Sequence, residues 1–375
     1  MSKFLNAKTL NICLCLLLAV GLTAAGCGTD DRVGGGSNAS SDASADYESS
    51  DASDDSSLIT VGFSQIGAES DWRIAESASI QNTLTVENGY NLIFENGQQK
   101  QENQLKAIRE FVDQKVDYII LDPIVESGWD SALEEARDAG IPVIIVDREV
   151  EVEDESLYVS WVGSDFYLEG VRCTKWLEAF LEKEGYGDEE INIVDIQGTL
   201  GSSAQIGRTK ALEDAIDTHG NWNLLAQEEA DFVQARGKEV TQELIEKYGD
   251  KIDVLYCEND SEAYGALEAI GEAGYQAGYN LAAGEIMVLS FDAAERGLTD
   301  TKNGVIAVDT ECNPLYGETL SSMIKTLEKG GTLLKTNYVR EAQFSAYTGF
   351  STVIVDNVTY PVTFLTDAVM ETREY

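Results

Sequence analysis

What most constrains this chain is a rhythm that runs through it twice. Short apolar runs alternate with segments whose apolar residues recur at helical spacing. The first pass predicts a strand over Leu58–Phe63 and a helix over 71–87, on the spacing of Trp72, Ala75, Ala78 and Leu84. It continues with Tyr90–Phe94 (strand), Gln99–Lys115 (helix), Tyr118–Leu121 (strand), Gly128–Ala139 (helix) and Val143–Val146 (strand). Gly89 and Gly140 stand where a helix must stop before the next strand, and Pro142 opens that strand. The second pass predicts helices over Tyr167–Glu184, Ser203–His219, Val233–Tyr248 and Ser261–Ala273. Between them lie strands over Ile191–Ile196, Trp222–Glu228, Val254–Cys257 and Ile286–Phe291. Continuously apolar strands separated by amphipathic helices belong to parallel sheets covered on both faces. Two passes of similar size therefore imply an α/β protein of two lobes, with a cleft between them.

In open sheets of this kind a ligand sits beyond the carboxyl ends of the strands. The first strand is followed by Gln65, then by Glu69, Ser70, Asp71, Trp72 and Arg73. Asp147 and Arg148 follow Val143–Val146. Asn259 follows Val254–Cys257, and Asp292 follows Ile286–Phe291. A run over Val305–Val308 leads into Asp309, Thr310 and Glu311. Carboxylate, guanidinium, amide and indole at five strand ends form the set a sugar requires. Its hydroxyls donate and accept together, and its C–H face packs on an aromatic ring. Each residue alone has a plainer reading. Asp and Asn cap helices and form turns, Trp72 fits a helix core, and Arg73 and Arg148 fit surface ion pairs.

The net charge of −41 over 375 residues argues against nucleic acid and anionic lipid as partners. Six cysteines form no C-x-x-C pair and the chain has one histidine, His219, so a Cys/His zinc site is not expected, and no cofactor is called for. With Cys13 and Cys15 in the first apolar stretch and Cys27 set aside, Cys173, Cys257 and Cys312 remain, an odd number that leaves a free thiol in a monomer. They are read as small buried hydrophobes.

Lys3 and Lys8, an apolar run from Ile12 to Leu22 and then Thr23-Ala24-Ala25-Gly26-Cys27 have the layout of a signal peptide over 1–27. Small residues leading into Cys27 resemble a bacterial lipobox, in which that cysteine is lipidated. A plain signal peptide is the alternative. Residues 28–57 are mostly Ser, Asp, Gly and Ala, which cannot bury enough apolar surface to fold, so a disordered acidic linker is expected. Such a leash suits a lipid-anchored protein on a Gram-positive surface, with a periplasm as the alternative.

The segments Thr60–Arg73, Asn96–Gln104, Gly128-Trp129, Pro142–Arg148, Ser156–Tyr158, Gln197–Thr199 and Glu258–Asp260 resemble, in order and spacing, the bacterial galactofuranose-binding proteins. These lie within the ribose- and galactose-type periplasmic binding proteins of ABC importers, and the likeness spans about residues 58–330. It implies a type I periplasmic-binding fold hinged by three crossings, near Gly163, Thr310 and Leu334. The lobes would be 58–162 with 311–333, and 163–310 with 334–375. It implies contacts to a monosaccharide from Glu69–Arg73, Asp147, Arg148, Arg208, Asn259 and Asp292, with Glu311 the least securely aligned. It also implies a monomer that delivers its ligand to a permease and performs no chemistry. Asp71 stands where a Gly is often found, and the chain from Tyr338 onward departs from the family pattern. A sugar-sensing role toward a chemoreceptor or histidine kinase remains open, because it would use the same closed surface. A glycosidase is disfavoured because arginines near Asp147 and Asp292 would hold them ionised.

Overall fold

The structure, a computed structural model, describes residues 58–375. The expected signal peptide over 1–27, with Cys27, and the expected linker over 28–57 lie outside the described residues. Among those residues no helix is long and apolar enough to cross a membrane.

The first lobe is built from β1 (Ile59–Gln65), α1 (Asp71–Thr83), β2 (Tyr90–Asn96), α2 (Gln101–Gln114), β3 (Tyr118–Leu121), α3 (Asp130–Asp138), β4 (Val143–Val146) and β5 (Ser160–Gly163). The second follows with α4 (Phe166–Glu184), β6 (Ile191–Gln197), α5 (Ser203–Thr218), β7 (Trp222–Glu229), α6 (Gln234–Tyr248), β8 (Val254–Cys257), α7 (Asp260–Glu272), β9 (Met287–Asp292), α8 (Glu295–Lys302) and β10 (Val308–Glu311). The chain ends with α9 (Gly317–Glu328), β11 (Thr336–Tyr338), β12 (Gln343–Ser345), the hairpin β13 (Thr352–Val355) and β14 (Val358–Pro361), β15 (Thr363–Phe364) and α10 (Asp367–Met370).

One sheet runs β11-β5-β4-β3-β1-β2 and the other β15-β12-β10-β9-β8-β6-β7. All pairings in the first are parallel, while β12 joins the second antiparallel to β10. The apolar strands explain the two-sided cover, since successive residues point to opposite faces. Ile120, Ile144 and Val146 pack on one face of the first sheet, Ile119, Val143 and Ile145 on the other. In the second sheet Tyr256 and Leu289 face one core, Leu255 and Val288 the other. Cys173, Cys257 and Cys312 are buried free thiols within these cores.

The two lobes repeat one another strand for strand, with β1 to β5 matched by β6 to β10. The match extends to backbone. Gln98 and Gln99 after β2, and Asp231 and Phe232 after β7, all have left-handed φ, as do Asp147 after β4 and Asp292 at the end of β9.

Three details differ from the sequence reading. The third crossing is not at Leu334, because β11 adds in parallel to β5 of the first sheet and the chain changes lobes only between Tyr338 and Gln343. Residues 336–338 therefore belong with the first lobe; with three short residues, β11 is readable only from its partner. The strand expected over Val305–Val308 lies at Val308–Glu311, because Asn303 and Gly304 first close the end of α8. The helix expected over 71–87 ends at Thr83, and a single 3₁₀ turn covers Val86–Asn88.

Candidate functional site

The strand ends of both sheets face one cleft, and the lobes touch across it. Glu149 N donates to Ser203 Oγ at 2.9 Å and Glu126 N to Gly201 O at 2.9 Å. Between them lies a pocket, partly open to solvent, with about 300 Å³ of empty space.

The first-lobe wall begins at Ser70. Its hydroxyl accepts from Arg73 N at 3.1 Å and caps α1, which turns Trp72 and Arg73 inward and leaves Asp71 exposed. Arg73 donates from Nε to Glu69 at 2.8 Å, from Nη1 to Glu76 at 2.9 Å and Asp122 at 2.6 Å, and from Nη2 to Asp147 at 2.9 Å. Burial opposes this cation, but Asp122, Glu76, Asp147 and Glu69 outweigh it and hold the guanidinium firmly charged. Four of its five N–H groups are thus committed within the lobe. Arg73 therefore positions Glu69 and Asp147 more than it offers donors to a ligand. Burial also pushes Glu76 up to about 7, against the pull of Arg73.

Asp147 leaves β4 with φ 60, which swings its carboxylate toward the cleft. Oδ2 accepts from Arg73, and Oδ1 has no partner among the described residues. Arg148 donates from Nη1 to Ile124 O at 2.7 Å, and its guanidinium lies 5.1 Å from the Phe232 ring of the other lobe. Its buried Nε has no partner. Burial, then the neighbouring Arg73, lower the pKa of this cation, so a hydroxyl acceptor would relieve it.

On the second lobe Arg208 binds Glu169 through Nε at 2.9 Å and Nη2 at 2.8 Å, and Glu258 O through Nη1. Its guanidinium lies near the rings of Phe291 (4.7 Å) and Phe166 (5.5 Å). Asn259 caps α7 through Oδ1, which accepts from Glu262 N at 2.8 Å, and its Nδ2 donates to Phe232 O at 3.2 Å. That leaves one Nδ2 hydrogen for a ligand. Asp292 ends β9 at φ 105, and its nearest cation is Arg208 Nη2, 3.8 Å away. Burial raises its pKa, with Asp260, Glu169 and Asp147 adding to it, against the attraction of Arg208.

Nine of the twelve expected residues line the cavity. Glu69, Ser70, Trp72, Arg73, Asp147 and Arg148 come from the first lobe, and Arg208, Asn259 and Asp292 from the second. Trp72 is anchored by Nε1 donating to Cys312 O at 2.5 Å, with its ring edge-on to Tyr316.

The other three, Gln65, Asp71 and Glu311, do not line the cavity. Gln65 lies inside β1 and donates to Ser77 Oγ behind the wall. Asp71 faces an open groove at the cleft mouth. Glu311 belongs to β10 and is fully engaged by the tail. It accepts from Ala342 N at 2.6 Å, Arg373 Nη2 at 2.6 Å and Tyr375 OH at 2.7 Å. Phe166, Ala204, Phe232 and Cys312 line the cavity without having been anticipated. The end of β7 could have pointed to Phe232, which occupies the same kind of left-handed turn as Gln99. Cys312 directly follows β10 and Phe166 lies three residues past β5, so the strand-end rule reaches both places, but neither residue type carries a polar ligand signal.

Residues 61–330 match the periplasmic binding protein domain family. The chain belongs to that family. Over 230 residues this periplasmic binding protein is 42% identical to the galactofuranose-binding protein YtfQ of Escherichia coli, covering 61% of this chain and 70% of that one. A Mycobacterium smegmatis structure in complex with β-D-fucofuranose is 34% identical, with TM-score 0.72 over 77% of this chain and 91% of that chain. The binding component of the arabinose ABC transporter of Shewanella sp. ANA-3, bound to L-arabinofuranose, is 34% identical, with TM-score 0.70 over 76% and 91%.

Proposed function

We propose that this protein captures a monosaccharide in its interlobe cavity and delivers it to the permease of an ABC importer, performing no chemistry on it. The observation that carries the reading is what internal pairing leaves over at the cavity wall. Asp147 Oδ1 and the Asp292 carboxylate accept, while Arg148 and one Asn259 hydrogen donate. These groups come from both lobes, so a polyhydroxylated ring satisfies them only when the lobes are closed. A ligand favours closure to the extent that it binds the closed state better. Trp72, Phe166 and Phe232 supply apolar faces for the C–H side of the ring.

The ligand class we infer is a furanose-form hexose or pentose, supported by the kinship with proteins named for galactofuranose, fucofuranose and arabinofuranose. Asp147 suits binding more than acid catalysis, since Arg73 Nη2 donates to it at 2.9 Å. We also propose that Cys27 is lipidated and tethers the protein outside the cytoplasmic membrane through the 28–57 linker.

A thermal-shift panel tests the ligand class with galactose, arabinose, fucose, ribose, glucose and methyl galactofuranoside. The reading expects the furanose-locked glycoside or a furanose-forming sugar to raise Tm strongly. A panel without any shift at millimolar sugar would overturn it.

A further inference from the structure

The three crossings between the lobes meet at one polar cluster. Ser164 lies in the first crossing, between β5 and α4. Cys312 lies in the second, between β10 and α9, and Glu341 in the third, between β11 and β12. Glu169, on the first turns of α4, completes the group. One ligand atom each from Glu169, Cys312 and Glu341 lies within 4.8 Å of the other two. The Ser164 hydroxyl, a further oxygen, bonds to Glu341 and lies 3.3 Å from Cys312 Sγ.

One atom here has an unmet need. Glu169 is 1% exposed, and its Oε1 has no hydrogen-bond partner, although its Oε2 is held by Arg208. Cys312 also lines the interlobe cavity.

We propose that Glu169, Cys312 and Glu341 form a site for a thiophilic divalent cation of the zinc type, joining the three crossings at the hinge. The donor set decides the class. Calcium and magnesium need six or more oxygens and a strongly negative cage. Here there are two carboxylates and a thiol, and Arg208 and Arg172 stand close enough to offset the carboxylate charge. A thiolate with two carboxylates and a hydroxyl or water suits a four-coordinate, borderline-soft ion. Binding displaces the thiol proton and any proton the two carboxylates share, so ion binding releases protons to solvent. Cysteine–histidine spacing could not disclose such a site, because its ligands are scattered from 169 to 341. The inference stands independently of the sugar reading.

The test uses the purified full chain with Zn²⁺, Cd²⁺, Ca²⁺ and Mg²⁺, each alone, in wild type, Cys312→Ser and Glu341→Gln. Wild type is expected to melt higher with Zn²⁺ or Cd²⁺ than with Ca²⁺ or Mg²⁺. It should also develop a cadmium–thiolate charge-transfer band at one equivalent. Cys312→Ser should lose the band, and Glu341→Gln should weaken cadmium at least tenfold while its circular dichroism stays native. A band that persists in Cys312→Ser, or wild-type melting that no ion changes, would overturn the proposal. In the latter case Glu169 and Glu341 share only a proton.

Discussion

Arg73→Met should be among the most destabilising single changes in this protein. The guanidinium holds four carboxylates, each within 3 Å, and every member of the cluster is nearly or fully buried. Removing one partner of a buried ion pair leaves an uncompensated charge and costs about 3–5 kcal/mol. Here four anions lose their common partner, but Glu76, already pushed up to about 7, can take a proton and recover part of that loss. We therefore expect about 4 kcal/mol, a fall of roughly 10 °C in Tm for a protein of this size. Arg109→Met is the internal control. Arg109 pairs with Glu135 at 3.0 Å on the surface, both side chains more than 40% exposed, and such pairs contribute about 0–1 kcal/mol. Calorimetric melts of both variants at neutral pH, with urea titrations alongside, read the difference. Acidification should narrow the Arg73→Met deficit, because the freed carboxylates protonate in the folded state. A loss no larger than that of Arg109→Met would refute the view that Arg73 organises the first-lobe wall.

Further predictions follow from the same geometry. Glu76 is raised from 4.5 to about 7, so its folded form binds a proton more tightly than its unfolded form. Its contribution to stability is complete below pH 4.5 and is lost as pH rises through 7; Glu76→Gln should flatten that part of the stability–pH curve. Phe232→Ala removes the ring beneath Arg148 and should weaken sugar binding by about 2 kcal/mol, roughly thirtyfold in Kd by calorimetry. Glu311→Gln should leave sugar affinity within about twofold, yet cost about 1–3 kcal/mol by weakening the charge-assisted bonds to Arg373 and Tyr375. A tenfold loss of affinity in that variant would return Glu311 to the binding site.

The parts of this structure that could be read from sequence are those carried by local pattern. β3, β4 and β8 have the expected bounds because continuous apolar runs such as Tyr118–Leu121 suit only strands buried on both faces. The strand-end rule then led to Asp147, Arg148, Asn259 and Asp292. What escaped depends on distant partners. β11 is three residues whose place is fixed by β5, more than 170 residues earlier. The role of Glu311 is decided by Arg373 and Tyr375, which fold back from the tail. Gln65 and Glu69 are four residues apart, yet one belongs to the strand and the other to the cavity, because β1 runs further than its apolar residues. No spacing rule links Ser164, Cys312 and Glu341, which only the three crossings bring together.

The central claim is that both lobes hold one sugar through carboxylates that internal pairing leaves available. Isothermal titration of the furanose ligand into wild type, Asp147→Asn and Asp292→Asn tests it most directly. The account predicts one-to-one binding to wild type and at least a hundredfold loss in each variant, with Tm in the absence of sugar lowered little in Asp292→Asn. If Asp292→Asn binds as tightly as wild type, the second lobe does not read the sugar through this carboxylate, and the two-lobe account is wrong.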